Sequence, residues 1–268
     1  MVTYEEFLDK YNSQDTVVLV SMLNTAVRGE ILEKLDKDNV KSIELMDIIG
    51  TDDNVESLRE FVAEYHEKSM QDYFENAELE LDTFWNEDTI FKKLFNRLDT
   101  RIVLELACGK GRHVMKYLEQ SERIILVDIL ESNIVYCKNR FRNYGKVECY
   151  TNNGYDLEMV EDNSITAVFS YDAVVHFEMM DIFNYLKEIK RILIDGGMAL
   201  IHHSNNSESY SVSFENGRCG RNYMTKQLFA YLCNRAGLEI VEQHIIDCEG
   251  YSELDCLTLV RKKSLRTH

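Results

Sequence analysis

The chain has 268 residues, 45% of them hydrophobic, and a net charge of −17. That length supports a substantial core, as one large domain or one domain with an appendage. No apolar run approaches the ~18 residues of a membrane span, and so acidic a chain repels phosphate backbones, which excludes a membrane protein and a nucleic-acid binder as first readings.

The opening Met1-Val2-Thr3-Tyr4-Glu5-Glu6 lacks a basic leader, so the expected address is the cytoplasm. Tyr4, Phe7, Leu8 and Tyr11 recur at helical spacing, and LVSMLNTAVRGEILEKL repeats the pattern. DKDN at 36–39 and GTDDN at 50–54 read as turns, after which VESLREFVAEYHEKSMQDYF resumes a helical period. Residues 1–80 hold 20 acidic and 7 basic side chains, a net of −13, which marks a solvated helical face. The expectation is a helical segment over residues 1–80 that caps a second domain at 81–268. It closes over a substrate or joins two subunits as a homodimer, with Tyr73 to Trp85 near the mouth of the site. Turns here depend on Gly, Asn, Asp and Ser, because the chain has no proline.

Beyond residue 100 strand and helix alternate at short intervals, the pattern of a doubly wound sheet with helices on both faces. RIVLELACGKGRH at 101–113 is a strand followed by a turn through Gly109 and Gly111, and IILVDI at 124–129 is a second strand ending on Asp128. Glycine allows close backbone approach, the following helix offers free N–H groups, and the distal acid can grip two ribose hydroxyls, so a nucleoside-containing cofactor is the natural occupant. Dinucleotide enzymes share this layout but use a third glycine, whose place is taken here by Val114.

Glu105-Leu106-Ala107-Cys108-Gly109-Lys110-Gly111 resembles motif I of the class I S-adenosylmethionine-dependent methyltransferases, acid-x-Gly-x-Gly-x-Gly, with Ala107 at the first glycine. The resemblance runs in order over residues 85–263. NNGYDL at 152–157 stands where that family holds adenine, DNSITAVFSYDAVVHF at 162–177 matches its fourth strand and following loop, and LKEIKRILIDGGMALIHHS at 186–204 matches a helix, a Gly-Gly turn and the fifth strand. It implies a Rossmann-like, mostly parallel sheet with a closing antiparallel strand, and S-adenosylmethionine held by Glu105, Ala107, Cys108, Gly109, Gly111, Asp128, Ile129, Asn153, Gly154 and Tyr171. More narrowly, ELACGKGRH, DAVVHF, HHSN and RNYM look like methyltransferases of surface-polysaccharide and sugar biosynthesis. That implies O-methylation of a small sugar, nucleotide-linked or capsule-precursor acceptor. N-, C- or protein methylation is the alternative, followed by a non-catalytic scaffold.

A hydroxyl acceptor must lose a proton, and histidine suits that task because its pKa lies near neutrality. His203, beside the loop begun by Ser204 and Asn205, stands first among the candidate bases, then His176, then Asp172. The same Asp172, His176, His202 and His203 could instead ligate a divalent ion, but their spacing is no metal signature, so no metal is expected. His202, Asn205, Arg218, Arg221 and Asn222 read as acceptor-binding, the arginines suiting a phosphate or carboxylate. Seven cysteines without a C-x-x-C pair fit reduced thiols. Cys108 reads as a small loop residue, with a reactive thiol beside the helix N-terminus as the other reading.

Overall fold

The computed structural model describes residues 4–10, 18–20, 25–44, 52–69, 76–207, 218–248 and 250–263. The chain forms two compact units, Met1–Val55 and Glu56–His268. The division falls inside the segment expected as one helical cap.

The first unit contains α1 (Tyr4–Lys10), β1 (Val18–Val20), α2 (Thr25–Lys37) and β2 (Ser42–Glu44). Two of the expected features differ. Leu19 and Val20, the first two residues of the expected helical run LVSMLNTAVRGEILEKL, belong with Val18 to a strand paired in parallel with Ser42–Glu44; the β-branched valines favour the extended form. Leu35 and Val40 make a small core with Tyr4, Phe7 and Leu8, and the Tyr4 hydroxyl donates to Asp38 Oδ2 at 2.8 Å. Asn39, in the expected turn, takes φ 53°. α3 (Asp52–Ser69) opens inside the expected second turn and carries the chain into the second unit. Tyr11, Gly50, Thr51 and Tyr73 lie outside the described residues.

The second unit is built on a seven-stranded sheet of order β5-β4-β3-β6-β7-β9-β8. Its strands are β3 (Ile102–Leu106), β4 (Arg123–Asp128), β5 (Val147–Thr151), β6 (Ile165–Ser170), β7 (Leu193–Ser204), β8 (Leu238–Cys248) and β9 (Tyr251–Lys262). Every neighbouring pair is parallel except those of β9, which runs antiparallel to both β7 and β8. This is the expected Rossmann-like arrangement with a closing antiparallel strand.

Alternation of side chains assembles the two layers. Leu104, Leu106, Ile125 and Val127 point to the side covered by α8 (Met179–Ile192), whose Ile182, Tyr185, Leu186 and Ile189 form a buried helical stripe. Val103, Ile124 and Leu126 point to the other side, against Trp85, Phe91 and Phe95. Phe91 and Phe95 lie on a short helix (Ile90–Phe95) whose first turn is capped by Thr89, which accepts from Lys92 N. α9 (Lys226–Ala236) is capped by Thr225 and ends on Gly237 at φ 86°. The Gly-Gly expected as a turn is instead part of β7: Gly196 takes φ 78° and the pairing with β6 skips between Ile165 and Ala167. A bulge absorbs the extra residues without interrupting the strand.

Along the chain the sheet grows outward from β3 to β5, then returns to place β6 on the other side of β3. The crevice outside the carboxyl ends of β3 and β6 is therefore the switch point where such sheets bind ligands.

Gly111 has φ 71°, and a Cβ there would stand 2.7 Å from the ring of Phe141. Gly111→Ala is expected to lower stability by about 1–3 kcal/mol, read as a shift in the urea midpoint. Gly145→Ala, with nothing within 4 Å of the added carbon, serves as the comparison and should leave the midpoint nearly unchanged.

Candidate active site

A cavity of about 1140 Å³, measured with its open mouth, occupies this crevice. Its floor is the turn after β3. Ala107 and Gly109 take φ 54° and 53°, so the turn curls back under the end of β4. There Asp128 Oδ2 accepts from Gly109 N at 2.8 Å, and Oδ1 accepts from Leu130 N at 2.9 Å and Asn133 Nδ2 at 3.2 Å. Burial raises the Asp128 pKa against these bonds. Glu105, also in the lining, is buried on β3 and accepts from Tyr117 Oη at 2.6 Å. Burial pushes its carboxyl up to about 8, against the opposing pull of that hydrogen bond.

Of the residues expected to hold a cofactor, Glu105, Ala107, Cys108, Gly109, Asp128, Ile129, Gly154 and Tyr171 line this cavity. Two do not. Gly111 is packed beneath the Phe141 ring and serves the turn rather than its occupant. Asn153 is exposed and caps its own loop, accepting from Tyr155 N and Asp156 N at 3.1 Å each. Its neighbour Asn152 faces the cavity instead: Nδ2 donates to Asp156 O and Tyr185 Oη, while Oδ1 is buried with no hydrogen-bond partner among the described residues. A buried acceptor in that state calls for a donor from a ligand or an ordered water. The Cys108 thiol is buried and its pKa is raised well above the usual thiol value by burial and by Cys137, so the reactive-thiol reading fails.

The far wall comes from the loop after β6. Asp172 takes φ 60° and aims its carboxylate between Arg112 Nη2 at 3.5 Å and Arg221 Nη2 at 3.6 Å. His176 lines the cavity, and its Nδ1 donates to Gly220 O at 2.8 Å, which fixes the tautomer with the lone pair on Nε2. Burial, assisted by His66 and Arg221, lowers its pKa to about 4, so the ring is neutral near pH 7. Tyr171 is held between the rings of His202 at 4.7 Å and Phe84 at 5.0 Å.

The first-ranked base does not reach this cavity. His203 is fully buried on the other face of β7, stacked on Phe229 at 3.6 Å, with Nδ1 donating to Ser204 O and Nε2 accepting from Thr258 Oγ1, both at 2.8 Å. Burial lowers its pKa to about 3. It is a satisfied core histidine.

The expected acceptor-binding residues stand behind the wall rather than in it. His202 Nδ1 accepts from Asp172 N at 3.0 Å, which places its proton on Nε2, donated to Asp255 Oδ2 at 3.1 Å. Arg221 grips the same Asp255 through Nε at 3.1 Å and Nη2 at 2.8 Å. Burial works against the Asp255 charge, but His202 and Arg221 outweigh it and hold the carboxyl far below its usual range. Asn222 N donates to Val175 O and its Nδ2 to Phe177 O, pinning the loop after β6. Asn205 receives Lys226 N at the start of α9. Arg218 stands over the Tyr251 ring at 5.1 Å and is absent from the lining. No group of three His, Cys, Asp or Glu among the described residues is placed to hold a metal ion.

The helical period predicts a cap but singles out none of the side chains that form the roof. Leu58, Arg59, Val62 and His66 project from α3 into the cavity. His66 Nδ1 donates to Val62 O at 2.7 Å, and its ring lies 5.0 Å from that of His176. The available signal was a helical stripe in which Arg59 and His66 interrupt apolar positions. Asp181 and Tyr185 on one face of α8, with Glu178 at its N-cap, complete the lining. From the stretch ending at Trp85, Glu78 reaches the lining and Trp85 Nε1 donates to His113 Nδ1 at 2.9 Å.

Residues 104–201 match a family described as a methyltransferase domain. A Mycobacterium tuberculosis protein named "Probable S-adenosylmethionine-dependent methyltransferase" is 24% identical over 143 residues, 53% of this chain and 48% of that one. The chain thus spans about half the length of that relative. A Mycolicibacterium smegmatis protein of the same description is 25% identical over 183 residues, covering 65% and 67% of the two chains. Among solved structures, the geranyl diphosphate C-methyltransferase of Streptomyces coelicolor, in complex with Mg2+, geranyl diphosphate and S-adenosyl-L-homocysteine, shares the fold with a TM-score of 0.52 at 14% identity, over 64% of this chain and 76% of that one.

Buried neutral histidines make stability depend on pH. Below about 6.5 the unfolded chain takes up a proton that folded His203 refuses until about pH 3, so stability falls as pH is lowered through that window. His203→Gln should reduce the slope of stability against pH between 6.5 and 4 by up to about 1.4 kcal/mol per pH unit. Urea midpoints of both proteins at several pH values test it, and parallel slopes would contradict the assignment.

Proposed function

We propose that the chain carries a class I S-adenosylmethionine-dependent methyltransferase domain and methylates a hydroxyl of a small sugar, nucleotide-linked sugar or related capsule precursor. The observation that carries this reading is one cavity lined by Asp128, by Asn152 with its unsatisfied Oδ1, and by His176. The sugar acceptor is further supported by the sequence resemblance of DAVVHF, HHSN and RNYM. The first forms the cavity wall, and the other two hold it from behind.

The residues fit the cofactor. Asn152 Oδ1 needs a donor such as an exocyclic amino group, and Asp128 Oδ2 retains acceptor capacity for a hydroxyl, whereas Oδ1 already accepts from Leu130 N and Asn133 Nδ2. When bound, the cofactor supplies a methyl group on a sulfonium, a good leaving group. The remaining work falls to this chain: enclosing the acceptor, orienting its hydroxyl and removing its proton. His176 is placed for the last task, since Gly220 O holds its Nδ1 proton and Nε2 is the basic nitrogen. Asp172, fixed through Arg221 and the His202–Asp255 pair, orients the acceptor beside it. From the expected helical segment, the α3 residues Leu58, Arg59, Val62, Ala63 and His66, with Glu78, belong to the enclosure, a reading supported by their place in the lining.

Incubation with methyl-labelled cofactor and defined sugar and nucleotide-sugar acceptors tests the reading. Label should move to a hydroxyl oxygen; transfer only to nitrogen, carbon or protein would overturn it. His176→Ala should slow transfer by about 10²–10⁴ with little change in cofactor affinity. Wild-type activity should persist on acidification until the pH nears 4, where His176 takes up its proton. Asn152→Ala should weaken S-adenosylhomocysteine binding by about tenfold in calorimetry, whereas Asn153→Ala should leave it nearly unchanged.

A further inference from the structure

α3 lies outside the matched domain, yet one of its side chains joins three separate parts of the adenosine end of the cavity. Arg59 Nε donates to Asp181 Oδ2 at 2.9 Å and Nη2 to Asp181 Oδ1 at 2.7 Å, a bidentate pair from α3 to α8. Its stem crosses the loop after β5. A Cβ on Gly154 would stand 2.3 Å from Arg59 Cδ and 2.8 Å from Ile129 Cδ1, so the stem and the residue after Asp128 meet over that glycine. The guanidinium lies 4.7 Å from the centre of the Tyr155 ring. Asp181 is 4% exposed and Arg59 16%, so both charges are largely removed from water and the pair adds little net stability. What it adds is geometry: a fork with one seating, which α3 must leave if the roof is to lift.

We propose that Arg59, seated on Asp181, is a cofactor-retaining residue that closes α3 over the adenosine end. The inference rests on the cofactor reading given above. In this arrangement Arg59 is a wall of the site, and entry or exit of the cofactor requires its fork to leave Asp181. Leu58, Val62 and Ala63 supply the apolar underside of the same roof. Asp181 acts through Arg59 and is a positioning residue.

The probe is S-adenosylhomocysteine, and the readout is its dissociation rate. The single tryptophan, Trp85, donates to cavity residue His113 and reports occupancy by fluorescence in stopped flow. Arg59→Met keeps the apolar stem and removes the fork, and Asp181→Asn removes its seat. Each should raise the dissociation rate by about tenfold, and the double variant should be no faster than either single one. Circular dichroism and urea midpoints establish that the variants fold, and either single variant suffices if the other does not. Unchanged dissociation in a folded variant overturns the proposal. So does tighter binding by Arg59→Met, which would mean that the side chain occupies the ligand's own place. A wild type that ignores S-adenosylhomocysteine overturns the cofactor reading itself, and this inference with it. A wild type that binds while both variants match it overturns this inference alone.

Discussion

The carboxylate of Asp128 is the constraint on which the rest of the site depends. It stands at the end of β4 and accepts from the first glycine of the turn after β3, from Leu130 and from Asn133. One side chain thereby ties two strand ends and the start of the following helix into a single floor. An acid is required there because three donors converge on two oxygens. Glycine suits position 109 because its amide approaches with φ 53°, in the left-handed region that glycine adopts at least cost.

A second buried carboxylate does comparable work for the wall. Asp255 arrives from β9, more than fifty residues beyond the strand it supports, and binds His202 through one oxygen and Arg221 through both. His202 then receives the amide of Asp172, and Arg221 approaches its carboxylate. The left-handed backbone of Asp172 is held from two sides by groups that never enter the cavity. The antiparallel strand therefore has a role beyond closing the sheet, because its register with β7 sets His203 opposite Cys256 and His202 opposite Leu257 and so decides what supports the wall.

Most strands of the second unit and the turn through Gly109 and Gly111 were legible in the sequence, because apolar strand runs and a two-glycine turn have local physical causes. The choice between neighbours was not. Asn152 and Asn153 follow the last residue of β5, where a shift of one position exchanges the cavity for solvent. His202 and His203 alternate on a strand buried on both faces, so composition does not distinguish them, and the more buried ring proved to be stacked on Phe229. Arg218, Arg221 and Asn222 read as ligand-binding because they are polar and sit beside a glycine; their partners come from β8, β9 and the loop after β6, which local sequence does not announce. Arg59 and His66 were missed for the converse reason. A helical period shows that α3 buries one face but says nothing about what that face covers.

Glu105 makes the floor sensitive to charge. Burial keeps its carboxyl protonated up to about pH 8, so at neutral pH the cavity presents a neutral acid beneath the turn. A cation brought beside it favours the ionised form and expels the proton. Occupancy by a positively charged ligand is thereby coupled to proton release, and affinity for such a ligand strengthens as the pH rises towards 8 and levels off above it. A neutral ligand of the same shape displaces no proton and shows no such dependence. One buried carboxyl thus lets the site weigh the charge of its occupant as well as its outline.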